Sequence, residues 1–355
     1  VSIDLTTRYG SLTLRSPIVV GACPMSVDEQ TRIAIESSGA GAIVLPSLFE
    51  EQISLWNQSR GKSLSDQEQQ RVTQCNALAE ATYCGNAETY LSIVNRASEQ
   101  MHIPVIASLN GESEGNWLDF AGEVEEAGAA AIELAVHHSD ALHQSGPRQI
   151  EESLVRLVTN INQAISIPLY LKLERDYTSL GHLSRQLSSG CQGLVMYGRK
   201  PNVEICLDSL SVRTHWGLTE PGSINQSLGE IMRVHSSCPT MSLAACGGIS
   251  SSEDVIRSLL AGADVAMVTS AIYRHGPDVI RTMNDGLMEY MNQHQLTSIV
   301  ELQEQRPLEF DQGAQRNAYA KALSSRIDPP ADSNSNFHGD RYGHLDRRSA
   351  EQAGH

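Results

Sequence analysis

Apolar residues in this chain gather in short unbroken runs of four or five, and four of those runs follow the same phrase. It reads Ser38-Gly39-Ala40-Gly41-Ala42-Ile43-Val44-Leu45, then Ala127-Gly128-Ala129-Ala130-Ala131-Ile132-Glu133-Leu134, then Ser189-Gly190-Cys191-Gln192-Gly193-Leu194-Val195-Met196, and last Ala261-Gly262-Ala263-Asp264-Val265-Ala266-Met267-Val268. A helix that stops on a glycine able to take positive φ, a short link and a buried strand would give each of them. Strands buried on both faces show continuous rather than alternating apolar runs, so the repeated joint predicts a parallel sheet covered by helices.

Strands are predicted at 18–22, 42–45, 105–109, 131–135, 169–172, 193–196, 242–246 and 265–268. Helical periodicity lies near 28–38, 86–101, 116–127, 149–165, 179–188, 224–236, 252–260 and 278–293. An open doubly wound sheet uses the same alternation, but eight of each is the number that closes a (β/α)8 TIM barrel. Two insertions interrupt the array, Phe49 to Tyr83 after strand two and Gly198 to Ser223 after strand six, both at strand C-termini where barrel enzymes build their sites. Short helices are expected at 297–303 and 313–324. The expected organisation is a barrel over 1–307, a helical extension over 308–326 packed on it, and a disordered tail over 327–355, which is too polar to order itself.

Composition narrows the partners. A net charge of −16 argues against a nucleic-acid or anionic-membrane surface, which needs clustered Lys and Arg, and points to a small-molecule partner. The seven cysteines include no C-x-x-C pair, so neither a disulfide frame, a zinc knuckle nor an iron–sulfur ligand set is indicated. The first ten residues lack a basic region and an apolar signal run, and no stretch has membrane-spanning length, so a cytoplasmic location is expected.

Chemistry concentrates at the predicted strand ends. Gly247 and Gly248 end strand seven, and Thr269, Ser270 and Ala271 end strand eight, where amides and hydroxyls can converge on one phosphate; the bland alternative is a tight Gly-Gly turn. Lys172 closes strand five and, by alternation with Tyr170, can face the barrel mouth. There it would stabilise negative charge on a flavin ring, form a Schiff base with a carbonyl, or snorkel to solvent. Glu133 on strand four needs a partner inside a barrel, and Lys172 on the next strand is the nearest candidate. Ser108 and Asn110 finish strand three, while Gly21, Ala22, Cys23 and Pro24 finish strand one with residues small enough for a flat ring. The loop after strand four holds His137, His138, Ser139, Asp140 and His143, which can move protons, seat a metal or simply face solvent; no metal is assigned.

Together these residues resemble the dihydroorotate dehydrogenase family, class 1, and its bacterial dihydroorotate dehydrogenase-like branch. The resemblance runs from Asp4-Leu5-Thr6-Thr7-Arg8-Tyr9 to about Ala322, through RSPIVVGACP, LPSLFEEQI, IPVIASLNGE, IPLYLKL, ACGGISSSEDV and LLAGADVAMVTSAIYRHGP. It implies an FMN-dependent oxidoreductase of pyrimidine biosynthesis acting on a CH–CH group. Its flavin contacts would fall on Ala22, Cys23, Asn110, Lys172, Gly247, Gly248, Thr269 and Ser270. The proton acceptor, a Cys or Ser in the family, aligns with His138, and His137 and Arg199 are candidates to bind the substrate. The family's lysine after strand two falls on Pro46, its strand-four asparagine on Ala135 and its strand-six asparagine near Gly198. Much of the polar set that grips orotate is therefore replaced, which leaves dihydroorotate or a related small carboxylate as the expected donor. An electron-transfer partner subunit and a homodimer are both compatible with the resemblance. Two other readings remain at this point: a degenerate barrel that holds flavin or phosphate without turnover, and a Schiff-base lyase using Lys172.

Overall fold

The computed structural model describes residues 3–74, 86–111, 117–136, 146–174, 177–307 and 312–324. Eight parallel strands close a barrel: β1 (Ile18–Val20), β2 (Ala42–Phe49), β3 (Val105–Asn110), β4 (Ala131–Ala135), β5 (Leu169–Leu173), β6 (Gly193–Met196), β7 (Ser242–Cys246) and β8 (Val265–Val268). Each pairs with its sequence neighbours, and β8 returns to β1, with Met267 opposite Val19. Inward side chains such as Val44, Ile106, Val195, Ala244 and Met267 fill the interior, and outward ones pack beneath the helices. Some helices begin on a side chain that accepts an amide hydrogen bond, as at Asp28, Asn86 and Ser251.

The four repeated joints are αβ corners, but they do not use their glycines alike. Gly39, Gly128 and Gly262 take positive φ. Gly190 does not; a Cβ there would sit 3.0 Å from the Thr159 amide nitrogen and from Val158, so this glycine serves the close approach of two segments.

Strand β2 is longer than its apolar run suggests. Its pairing with β3 shifts between Val44 and Ser47, absorbing Pro46 in the irregularity and carrying Ser47 level with Ser108. A hairpin missed in the sequence, Thr7–Tyr9 with Leu12–Leu14, stoppers the N-terminal end of the barrel. Tyr9 stacks on Tyr170 at 3.9 Å, Tyr170 Oη donates to the Tyr9 carbonyl at 2.6 Å, and the Gly10 amide donates to Ser242 Oγ at 2.8 Å. Access to the interior is therefore from the C-terminal end.

The first insertion carries helices Glu50–Ser59 and Asp66–Gln74, and the second an exposed hairpin, Asn202–Cys206 with Ser211–His215. The chain divides into two units, Val1–Leu308 and Glu309–His355; the second contains the helix Gln312–Ser324. The polar tail after Ile327 lies outside the described residues. No described helix is long and apolar enough to cross a membrane.

Candidate active site

Lys172 lies one residue before the end of β5 and faces inward. Its Nζ donates to Glu133 Oε1 at 2.8 Å, with the Glu133 side chain 1% exposed. The pair is diagonal across the sheet, since Lys172 stands opposite Ala135 and Glu133 opposite Tyr170. Burial pulls the ammonium toward neutrality, but the Glu133 carboxylate outweighs it and holds the amine above its ordinary value. Glu133 Oε2 is buried with no hydrogen-bond partner among the described residues, so this carboxylate gains its stabilisation largely from the lysine.

Above the pair opens a cleft of about 230 Å³, lined by Ala22, Lys172, Tyr197 to Lys200, Thr219, Ser223, Gln226, Cys246 to Ile249, Met267, Thr269 and Ser270. Among the described residues three cations, Lys172, Arg199 and Lys200, line it and no Asp or Glu does, in a chain whose net charge is −16. Such a local reversal of sign concentrates anions. A smaller lobe of about 150 Å³ shares Ala22, Lys172, Gly198 and Arg199, and adds Ser47, Asn110, Ala135, Val136, Leu173, Glu174 and Trp216.

The ends of β7 and β8 meet in the larger lobe as expected, with one difference. Gly247 has φ +101°, and a Cβ there would project into open space. Gly248 has φ +77°, but its amide does not point freely at the cleft: it donates to Thr219 Oγ1 at 3.2 Å. Thr219 in turn contacts Ser270 Oγ through its hydroxyl at 2.9 Å and its amide at 3.1 Å. Thr269 Oγ1 lies against Gly21, where a Cβ would come within 2.7 Å of it.

Other expected residues divide between the cleft and elsewhere. Ala22 lines both lobes and Asn110 the smaller one. Cys23 instead buries its side chain in the layer beneath the helices, and burial pushes its thiol up. Arg199 reaches the mouth, its guanidinium 5.4 Å over the Trp216 ring and donating to the Trp216 carbonyl. His137 and His138 lie outside the described residues. Ala135 and Gly198 line the smaller lobe, while Ser47, beyond Pro46, contributes a hydroxyl 2.7 Å from Ser108 Oγ.

Sequence reasoning missed Ser47, Tyr197, Trp216 and Thr219. Only Thr219 carried a local signal, the turn-rich Gly217-Leu218-Thr219-Glu220-Pro221-Gly222 that closes the second insertion.

The sequence profile of the family described as Dihydroorotate dehydrogenase matches residues 80–291, more than half of the chain. This chain belongs to the dihydroorotate dehydrogenase family. It is 27% identical over 207 residues to a protein from Aeropyrum pernix named putative dihydroorotate dehydrogenase A (fumarate), covering 54% of this chain and 64% of that one. It is 29% identical over 211 residues to dihydroorotate dehydrogenase A (fumarate) of Limosilactobacillus reuteri, covering 58% and 68%. A match to the dihydroorotate dehydrogenase B (NAD(+)) catalytic subunit of Methanothermobacter thermautotrophicus is longer, 308 residues at 24% identity, covering 84% of this chain and 97% of that protein. The family's sequence pattern thus spans the strands that carry Asn110, Glu133, Lys172 and the β7–β8 cradle.

Proposed function

We propose that the chain is an FMN-dependent oxidoreductase of dihydroorotate dehydrogenase type, acting on a CH–CH group of dihydroorotate or a related small carboxylate. One observation carries the reading: a larger lobe that bears three cations and no carboxylate among the described residues, over a buried Lys172–Glu133 pair, in an otherwise acidic protein. FMN fits that lining, because Gly247 leaves space where a side chain would stand, Ala22 offers a small surface, and Thr269 and Ser270 bring hydroxyls to an anionic group.

When bound, FMN supplies a hydride acceptor for the substrate C–H. Lys172, kept cationic by Glu133, stabilises negative charge where it develops beside its ammonium. Arg199 offers a fork for the substrate carboxylate, with Ser47 and Asn110 as neutral hydrogen-bonding groups and Ala135, Val136 and Leu173 as an apolar wall. His138 takes the substrate proton and His137 assists binding, as the resemblance implies. We place this activity in the cytoplasm, with a small acceptor such as fumarate or an electron-transfer subunit accepting the electrons and a homodimer as the assembly.

Anaerobic addition of dihydroorotate to the yellow protein tests the reading, and bleaching supports it. A second reading, flavin held without dihydroorotate turnover, draws on Ala135 and Gly198 in the smaller lobe, where polar groups would be needed to grip a planar amide. It is distinguished by yellow colour that persists under the same addition. Lyase chemistry fits the site less well, since a Schiff base needs a neutral amine and Glu133 holds Lys172 in the charged form.

A further inference from the structure

The segment after the exposed hairpin, Gly217 to Ser223, is strapped across the ends of β7 and β8. Its Gly222 amide donates to the Gly248 carbonyl at 2.7 Å, and the strap lies so close that a Cβ on Gly248 would come within 2.0 Å of Ser223 Oγ. At the centre of the strap, Thr219 links the two strand ends. The Gly248 amide donates to Thr219 Oγ1, and the Thr219 hydroxyl and amide both donate to Ser270 Oγ, at 2.9 and 3.1 Å.

The direction of these bonds has a chemical consequence. A serine hydroxyl has one proton and two lone pairs. With both lone pairs of Ser270 engaged by Thr219, the remaining capacity of that oxygen is its own proton, and Ser270 lines the cleft. A group that can only donate favours an anion, and a chain of three donors running the same way polarises the last one.

We propose that Thr219 is a positioning residue for the phosphate group of the flavin: it turns the Ser270 hydroxyl into an obligate donor aimed into the cleft. The inference rests on the phosphate cradle of the preceding reading and goes beyond it, by assigning the anion selectivity to a residue on the strap rather than to the Gly248 amide, which Thr219 occupies.

The test compares FMN with riboflavin, which lacks the phosphate, in binding titrations of the full chain freed of bound flavin. The wild type is expected to bind FMN more tightly by about a hundredfold. In Thr219→Val, FMN affinity falls about tenfold while riboflavin affinity is unchanged. Thr219→Ser, which keeps the hydroxyl, retains the wild-type ratio. Ser270→Ala loses at least as much, and Thr219→Val adds little in the Ser270→Ala background, because Thr219 acts through Ser270. Thermal midpoints of the variants separate unfolding from lost binding, and Thr219→Ser and Ser270→Ala decide the matter if Thr219→Val does not fold. An unchanged FMN-to-riboflavin ratio in Thr219→Val, or full additivity with Ser270→Ala, overturns the role of Thr219 and leaves the cradle standing. Equal binding of the two flavins by the wild type, or binding of neither, overturns the cradle itself.

Discussion

Lys172 and Glu133 meet at 2.8 Å inside the barrel, and the second oxygen of Glu133 has no hydrogen-bond partner among the described residues. Each charge is therefore the main solvation of the other, and removing one leaves the other stranded. Glu133→Leu is expected to cost about 3–5 kcal/mol of stability, and Lys172→Met a comparable amount. The double variant Glu133→Leu with Lys172→Met should regain most of that loss. Urea unfolding of the four proteins checks this; additive losses in the double variant would mean the pair is not coupled.

The two adjacent glycines of the cradle should respond differently. Gly247→Ala strains a positive φ but meets no atom, so it folds with a loss of about 1 kcal/mol and binds flavin poorly, because its methyl enters the cleft. Gly248→Ala collides with Ser223 and the Glu220 carbonyl as well, so it should lose several times more stability. Thermal melts with and without FMN separate the two outcomes.

Buried thiols give the fold an alkaline limit. Burial pushes the Cys191 thiol up to about 12 from an ordinary value of 9.0, and its Sγ donates to the Leu187 carbonyl. The folded state thus holds a proton that the unfolded chain releases. Its contribution is complete below the unfolded value and is lost as pH rises from there toward the folded one, by about 1.4 kcal/mol per pH unit. Stability from urea melts should fall between about pH 9 and about pH 12, with a shallower slope in Cys191→Ala. Equal slopes would remove Cys191 as the cause.

Proton removal and electrophile chemistry can be separated by two experiments. His138→Ala should slow flavin reduction by roughly a hundredfold if the imidazole is the base. Borohydride added with a carbonyl substrate should leave no adduct on Lys172, as mass spectrometry of the peptide containing it would show. An adduct would restore the lyase reading.

The barrel was legible because its strands are buried on both faces and punctuated by glycine corners; Ala131–Ala135, Gly193–Met196, Ser242–Cys246 and Val265–Val268 match the apolar runs residue for residue. The Lys172–Glu133 pair was legible for a related reason: two inward charges on neighbouring strands have few other partners. The stopper hairpin escaped, since three-residue strands such as Thr7–Tyr9 are too short to show a period. Ser47 escaped because Pro46 disguises the continuation of β2. The turn around Thr219 was legible but its role was not, since that role exists only where a strap and two strand ends come together in space.

The most direct measurement is the visible spectrum of freshly purified protein, with the released flavin identified and quantified after denaturation. Yellow protein carrying FMN in equal molar amount is the expected result. Colourless protein whose thermal midpoint does not move on adding FMN would contradict the account.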